Sequence, residues 1–285
     1  MKVGVIILNY MAYQATMNCM DSFSSQENEF CEIKYVIVDN CSTNNSYAIL
    51  KEKYENRDDV FVVSTDKNIG FAKGNNYGYK ILKQYFQPDF VIFSNDDILL
   101  SQVNLYGWIR KSYEKYSFAV LGPQVYSING KFHQSPMENC TRNTLVCHWW
   151  ILKYLLKIVR AFIVFKILQK KKAGYSTWKN EIYSVFSDNK TIHGSFMIFS
   201  QKYFEYFSEP FDSHTYLYME EDIVKLRCDL SNIRMVFSPE YRVEHLQSVS
   251  TNMINDSLYQ KQLFYYVNHI KSLKVYQMVL RELLR

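Results

Sequence analysis

Short apolar runs alternate with longer amphipathic stretches through the first hundred residues. Runs at 3–8, 35–38, 60–63 and 90–93, rich in Val, Ile and Phe, predict strands. The stretches between them, 14–23, 46–54 and 72–85, are long enough to be helices. Such alternation predicts an α/β fold, a mostly parallel central sheet with helices on both faces. After Gly122-Pro123-Gln124 the pattern changes. One more apolar strand is predicted at 196–199 and a short alternating one at 241–245, and from about 256 to 285 the pattern is continuously helical.

Several strand ends turn polar. Leu8 leads into Asn9-Tyr10, Val38 into Asp39-Asn40-Cys41-Ser42, and Phe93-Ser94 into Asn95-Asp96-Asp97. A parallel sheet points such ends to one rim, and the crevice outside that rim is where open α/β sheets bind ligands. Polar, cap-rich loops follow many strands in any case. Adjacent carboxylates at Asp96 and Asp97 are a different matter, because like charges repel and each resists burial. A divalent cation with a phosphate ligand resolves that conflict. Glycines at 70, 74 and 78 recur every four residues, which lets one helix face approach a strand or a ligand closely. They form neither a GxGxxG nor a P-loop pattern. Glu220-Glu221-Asp222 opens another helical stretch. Acids there gain from the helix dipole, yet three in a row exceed what a cap needs.

Composition narrows the class. The chain has 285 residues, 48% hydrophobic and 21% charged, as globular proteins do. Six cysteines without CxxC or CxxH spacing argue against a zinc site or a disulfide framework and favour a reducing, cytoplasmic compartment. The apolar run near the start is too short for a secretory signal, and no stretch reaches the roughly 18 apolar residues of a membrane span. The net charge of +5 is uneven: nine Lys/Arg and no acid fall between 139 and 180, leaving 24 basic against 28 acidic residues elsewhere.

Taken in order, these clusters resemble the family 2 glycosyltransferases, with their GT-A nucleotide-sugar fold, and most of all the bacterial rhamnosyltransferase-like branch. The residues that carry the resemblance are Val5-Ile6-Ile7-Leu8-Asn9-Tyr10, Val38-Asp39-Asn40-Cys41-Ser42, the run from Asn68 through Gly70 to Asn75-Asn76, Phe93-Ser94-Asn95-Asp96-Asp97, Gly122-Pro123, Gly194-Ser195-Phe196-Met197, Glu220-Glu221-Asp222 with Arg227, and His245. The resemblance implies nucleotide-sugar contacts at Asn9, Asp39, Asn68, Gly70, Asn75, Asn76, Asp96 and Gly194. Asp39 would accept a hydrogen bond from the pyrimidine base, and Asp96 would support the metal or the ribose. It further implies Mn²⁺ or Mg²⁺ on Asp97, with His245 near metal and diphosphate, and Asp222 as general base with Glu221 raising its proton affinity. Asn95 and Asn44 stand where the family pattern has acids.

The implied protein is an inverting, metal-dependent transferase moving a sugar from dTDP-rhamnose or a UDP-hexose to a glycan or lipid-linked acceptor in bacterial surface polysaccharide synthesis (capsule or O-antigen). Its expected domains are 1–250, containing a basic helical insertion at about 140–180, and a C-terminal helical extension at 251–285. A non-catalytic nucleotide-sugar or glycan-binding protein and a sugar nucleotidyltransferase are the alternatives. The latter class carries a Gly-rich loop after its first strand, where this chain has Asn9-Tyr10-Met11-Ala12. Within 145–172, Lys153, Lys157 and Arg160 recur on one helical face opposite a broad apolar and aromatic one. That pattern suits peripheral contact with an anionic membrane, and equally a core or homodimer helix with snorkelling lysines. Its aliphatic face lacks the strand-borne aromatics of nucleic-acid binders.

Overall fold

The computed structural model describes residues 1–27, 29–127, 134–167, 186–246 and 258–284. Among these, eight strands form one sheet: β1 (Lys2–Asn9), β2 (Glu32–Asp39), β3 (Val60–Ser64), β4 (Phe90–Asn95), β5 (Ile98–Leu99), β6 (Val120–Ser127), β7 (Phe196–Ser200) and β8 (Met235–His245). Their order is β3-β2-β1-β4-β7-β6-β8-β5. Helices α1 (Tyr13–Ser24), α2 (Ser46–Tyr54) and α3 (Gly70–Tyr85) make the crossovers that parallel strands need. They are followed by α4 (Leu105–Tyr116), α5 (Thr144–Ile167), α6 (Gln201–Phe204), α7 (Glu220–Leu230) and α8 (Leu258–Leu283).

The sheet is mixed. β1–β2, β2–β3, β1–β4 and β6–β8 pair in parallel, whereas β7 runs antiparallel to β4 and β6, and β5 antiparallel to β8. The order reverses between β1 and β4, so the crevice beyond Asn9 and Asn95 is the switch point of the sheet. Because β7 is reversed, its entry at Gly194-Ser195 lies on the same rim as the ends of β1, β2, β4 and β8.

Side chains alternate between two apolar layers. Val3, Val5, Ile7, Ile37 and Ile92 pack with α1, α2 and α4, and Ile6, Val36, Val38, Val91 and Phe93 pack with α3, α6 and α7. With both faces covered, each strand reads as a continuous apolar run, which made the first four visible in sequence. β6 was not predicted, because Gly122-Pro123 reads as a turn. The strand instead passes through it, with a register shift between Gly122 and Gln124 where β6 meets β8. α4 was not predicted, β8 was predicted only over its last residues, and α3 begins at Gly70 rather than Ala72.

A third apolar cluster joins α5, α7 and α8 through Cys147, Ile223, Leu226, Leu273, Tyr276 and Leu280. The C-terminal helix thus packs against the start of the α7 layer and against α5. Full burial of a side chain such as Leu273 or Leu280 stabilises by about 1.5–3 kcal/mol. No described helix is long and apolar enough to cross a membrane. Of the predicted basic segment, residues 168–172 and Lys179 lie outside the described residues, as do 256–257 of the predicted C-terminal helix.

Candidate active site

Register sets the donor side. Asn9 pairs with Asp39 and Leu8 with Asn95, so three polar strand ends stand shoulder to shoulder. Asn9 Nδ2 donates to Asp39 Oδ1 at 2.6 Å, and Asn9 Oδ1 accepts from Ala12 N and Thr16 Oγ1 at the head of α1. Asp39 also accepts from Ser42 Oγ at 2.7 Å and Ser42 N at 2.9 Å. The carboxylate is 1% exposed and is held by these donors at the floor of the crevice. Tyr10 N approaches Asp96 Oδ2 at 3.4 Å, which ties the β1 end to the β4 end.

Asn40 is the organiser that the site prediction left out. Its Nδ2 donates to Asn68 Oδ1 and Gly70 O, and its Oδ1 accepts from Ile69 N and Thr65 Oγ1. Asn68 Oδ1 also accepts from Gly70 N and the Tyr216 hydroxyl. Gly70 has φ +83, and a Cβ there would lie 2.4 Å from Tyr216 O, so that position needs glycine on both counts. Asn75 Nδ2 bonds back to Phe71 O, and Asn76 bonds Glu209 and both backbone groups of Phe211. Asn75 Oδ1 is buried without a hydrogen-bond partner, whereas the polar contacts of Asn76 are with protein and fasten α3 to the segment leading towards α7.

Asp97 and His245 face each other at 3.1 Å, Oδ1 to Nε2. His245 is brought there by pairing with Ile98, one residue past Asp97. Its Nδ1 donates to Gln134 Oε1 at 2.8 Å, which in the neutral imidazole leaves Nε2 as a lone pair. Asp97 Oδ1 is buried and has no hydrogen-bond partner, so two acceptors meet in a nearly closed space. That donor set fits a divalent cation: one carboxylate oxygen and one imidazole nitrogen, with the remaining positions left to phosphate oxygens and water. Among the described residues no group of three or more His, Cys, Asp or Glu is arranged around one point. The described residues therefore offer a pair of candidate donors, not a full cage.

The His193-Gly194 turn bridges from this pair to the acids. The His193 ring lies 5.6 Å from that of His245, and its Nδ1 accepts from Ser195 N at 3.2 Å, placing the proton on Nε2. Burial, with His245 beside it, pushes His193 down to about 3, so the ring is neutral. On the other side, a Cβ at Gly194 would stand 3.0 Å from Glu221 Oε2. The missing side chain is what lets Glu221 lie over this turn.

Glu221 and Asp222 sit in the first turn of α7, entered through Tyr218 (φ 74) and Met219 (φ 68). Two bulky residues in succession at positive φ are strained, and such strain concentrates at functional sites. Met11 and Cys41, at the β1 and β2 ends, also have positive φ. Burial, reinforced by the Glu221 charge, holds the Asp222 carboxyl well above its ordinary range, against a hydrogen bond from the Cys140 backbone. Burial likewise raises Glu221. Glu220 points away from water, and burial followed by the Glu221 charge pushes it up to about 8. Arg227, one helical face along, donates to Asp212 Oδ2 at 2.9 Å and locks the 209–216 segment to α7.

Comparison with known proteins agrees with this geometry. The family model "Glycosyl transferase family 2" matches residues 4–207. A poly(ribitol-phosphate) beta-glucosyltransferase from Bacillus spizizenii is 29% identical over 134 residues, which are 46% of this chain and 20% of that protein. The aligned part is thus a fifth of that relative's length. Among solved structures, S. aureus TarS 1-349 in complex with UDP superposes with a TM-score of 0.53 at 17% identity, over 100% of this chain and 71% of that one. GalNAc-T7 with UDP, GalNAc and Mn²⁺ superposes with a TM-score of 0.59 at 12% identity, over 86% of this chain and 44% of that one. At such identities the likeness is one of fold, and the fold is the GT-A type of glycosyltransferases. The family match runs from β1 through α6, taking in the switch-point crevice, Asp97 and the His193-Gly194 turn, and on that match the chain belongs to glycosyl transferase family 2.

Proposed function

We propose that the protein is an inverting, metal-dependent transferase that moves a sugar from a nucleoside-diphosphate sugar to a hydroxyl of a glycan or lipid-linked saccharide in cell-surface polysaccharide synthesis. One observation carries this reading: the Asp97–His245 pair and the Glu221/Asp222 pair lie on either side of the His193-Gly194 turn, on one rim of the switch-point crevice. Membership of a transferase family sets aside the non-catalytic module and the nucleotidyltransferase.

In this reading Asp39 and Asn9 receive the base, Asp96 the ribose, and Asp97 with His245 the metal. Mn²⁺ or Mg²⁺ on the diphosphate would neutralise charge developing on the leaving group. Asp222 takes the proton of the acceptor hydroxyl as that oxygen attacks the anomeric carbon. The bond to the diphosphate breaks, and the nucleoside diphosphate leaves with the electron pair. A base with raised proton affinity suits a hydroxyl far better than an ordinary carboxylate does. A UDP-hexose is the better-supported donor than dTDP-rhamnose, since one relative is a glucosyltransferase and solved neighbours hold UDP or UDP-GlcNAc.

The test is manganese-dependent release of nucleoside diphosphate across a panel of nucleotide sugars, with an Asp222→Asn control. The substitution is expected to lower transfer roughly 10²–10⁴-fold while donor affinity, measured by calorimetry, stays unchanged. Retention of most transfer activity would remove Asp222 as the base.

A further inference from the structure

The face of α5 turned away from the protein is unusual for a water-soluble surface. On its inner side Cys147, Trp150, Ile151 and Tyr154 pack against α8. On its outer side Leu145, Trp149, Leu152, Leu156 and Val159 recur at steps of four and three, between 45% and 75% exposed. Seven of the fourteen exposed large apolar side chains among the described residues belong to this one helix. Single exposed apolar residues need no explanation, but a contiguous stripe of them does.

Charge selects what covers it. Helical spacing puts Lys153 and Arg160 along one edge of the stripe, Lys157 beside them lies over the Tyr154 and Tyr266 rings, and residues 139–180 contain no acid. In a two-fold pairing of this helix with a second copy, every charge brought to the seam would be positive. An anionic lipid surface offers the opposite sign along the whole edge, together with an apolar layer for the stripe. The helix does not cross that layer. It lies along it, its inner face already committed to α8.

We infer that the outer face of α5 seats the enzyme on an anionic membrane, with its long axis in the interface plane. This docking stands on the helix alone; its use rests on the transfer reading above. Cys140, four residues ahead of α5, lies beside Asp222, each acting on the other's electrostatics. The Asp222 side of the site therefore adjoins the segment that leads into α5. An acceptor hydroxyl carried on a lipid at the bilayer surface would meet it there.

The experiment is sedimentation of the full chain with phosphatidylcholine vesicles, with and without phosphatidylglycerol, over a range of salt. Binding is expected only when phosphatidylglycerol is present and should weaken as salt rises. Leu152→Glu with Leu156→Glu should weaken it at least about tenfold, while nucleoside diphosphate release without vesicles stays at the wild-type level, which also shows that the variant folds. No phosphatidylglycerol-dependent sedimentation, or undiminished binding by the double variant, would overturn the inference. So would a dimer in size-exclusion chromatography that the double variant dissolves, for then a second copy covers the stripe. Failure of the transfer reading shows separately, as an Asp222→Asn protein with normal turnover.

Discussion

A third residue directs the contact between Asp97 and His245. Gln134 accepts the Nδ1 proton of His245 and thereby aims the Nε2 lone pair at Asp97 Oδ1. Partners of this kind commonly alter metal affinity 10–100-fold. Gln134→Leu is therefore expected to weaken Mn²⁺ binding by about that factor, measured by titrating the protein with Mn²⁺ in the presence of UDP. An unchanged affinity would show that His245 is aimed by something else. Glu220 supports a second test, on stability. Its carboxyl rises from 4.5 to about 8 on folding, chiefly by burial. Between those values the folded chain binds more protons at this group than the unfolded one, so the stability this group contributes is full below pH 4.5 and is lost as pH rises towards 8. Glu220→Gln should reduce that dependence, the part due to Glu221 and Asp222 remaining, read as a flatter dependence of denaturation midpoint on pH. Gln134 left no trace in the sequence, since it stands 111 residues from its partner within no motif. Asn40 did leave one, because it directly follows Asp39 at a strand end.

At the level of elements, α3 depends on how closely it can approach the sheet. A Cβ at Gly78 would lie 2.7 Å from Ile6 Cγ2 and 2.8 Å from Val38 Cγ2, and one at Gly74 2.6 Å from Leu8 Cδ1. Ile6 and Val38 are β-branched, buried and stiff, so they cannot yield. Gly78→Ala should destabilise the protein by about 1–3 kcal/mol through overpacking, seen as a lower Tm, with an unchanged Tm refuting the close packing. The four-residue spacing of these glycines was plain in the sequence, and it announced a close approach without naming its partner. For Gly74 and Gly78 that partner is the sheet; for Gly70 it is the Tyr216 backbone. β6 was lost for the opposite reason, because a bulge hides a Gly-Pro pair inside a strand that its neighbours still pair. α7 was visible from its acids, but the strained Tyr218-Met219 entry that turns them toward the crevice was not.

Across the whole molecule, the added helices and the transferase core act as one assembly. Ser272 Oγ on α8 donates to Leu217 O, and the Tyr218 ring stacks on His269 at 4.3 Å between centroids. The C-terminal helix thus buttresses the segment that leads into Glu221 and Asp222, while α5 turns its apolar stripe outward. The sequence by itself determined the strand–helix alternation, the shared rim of polar strand ends and the acids that stand on it. Those features are local: periodicity, turn chemistry and the order of clusters are written in neighbouring residues. Only the tertiary structure decided which side chains meet, because the decisive contacts join distant positions. His245 reaches Asp97 through a strand pairing with Ile98, Glu221 reaches Gly194 through an absent side chain, and Asn76 reaches Phe211 across 135 residues. The same holds for α5, whose sequence pattern suited a core or a membrane helix alike. Packing on α8 consumed one of its faces and left the other, basic-edged and apolar, to the surface.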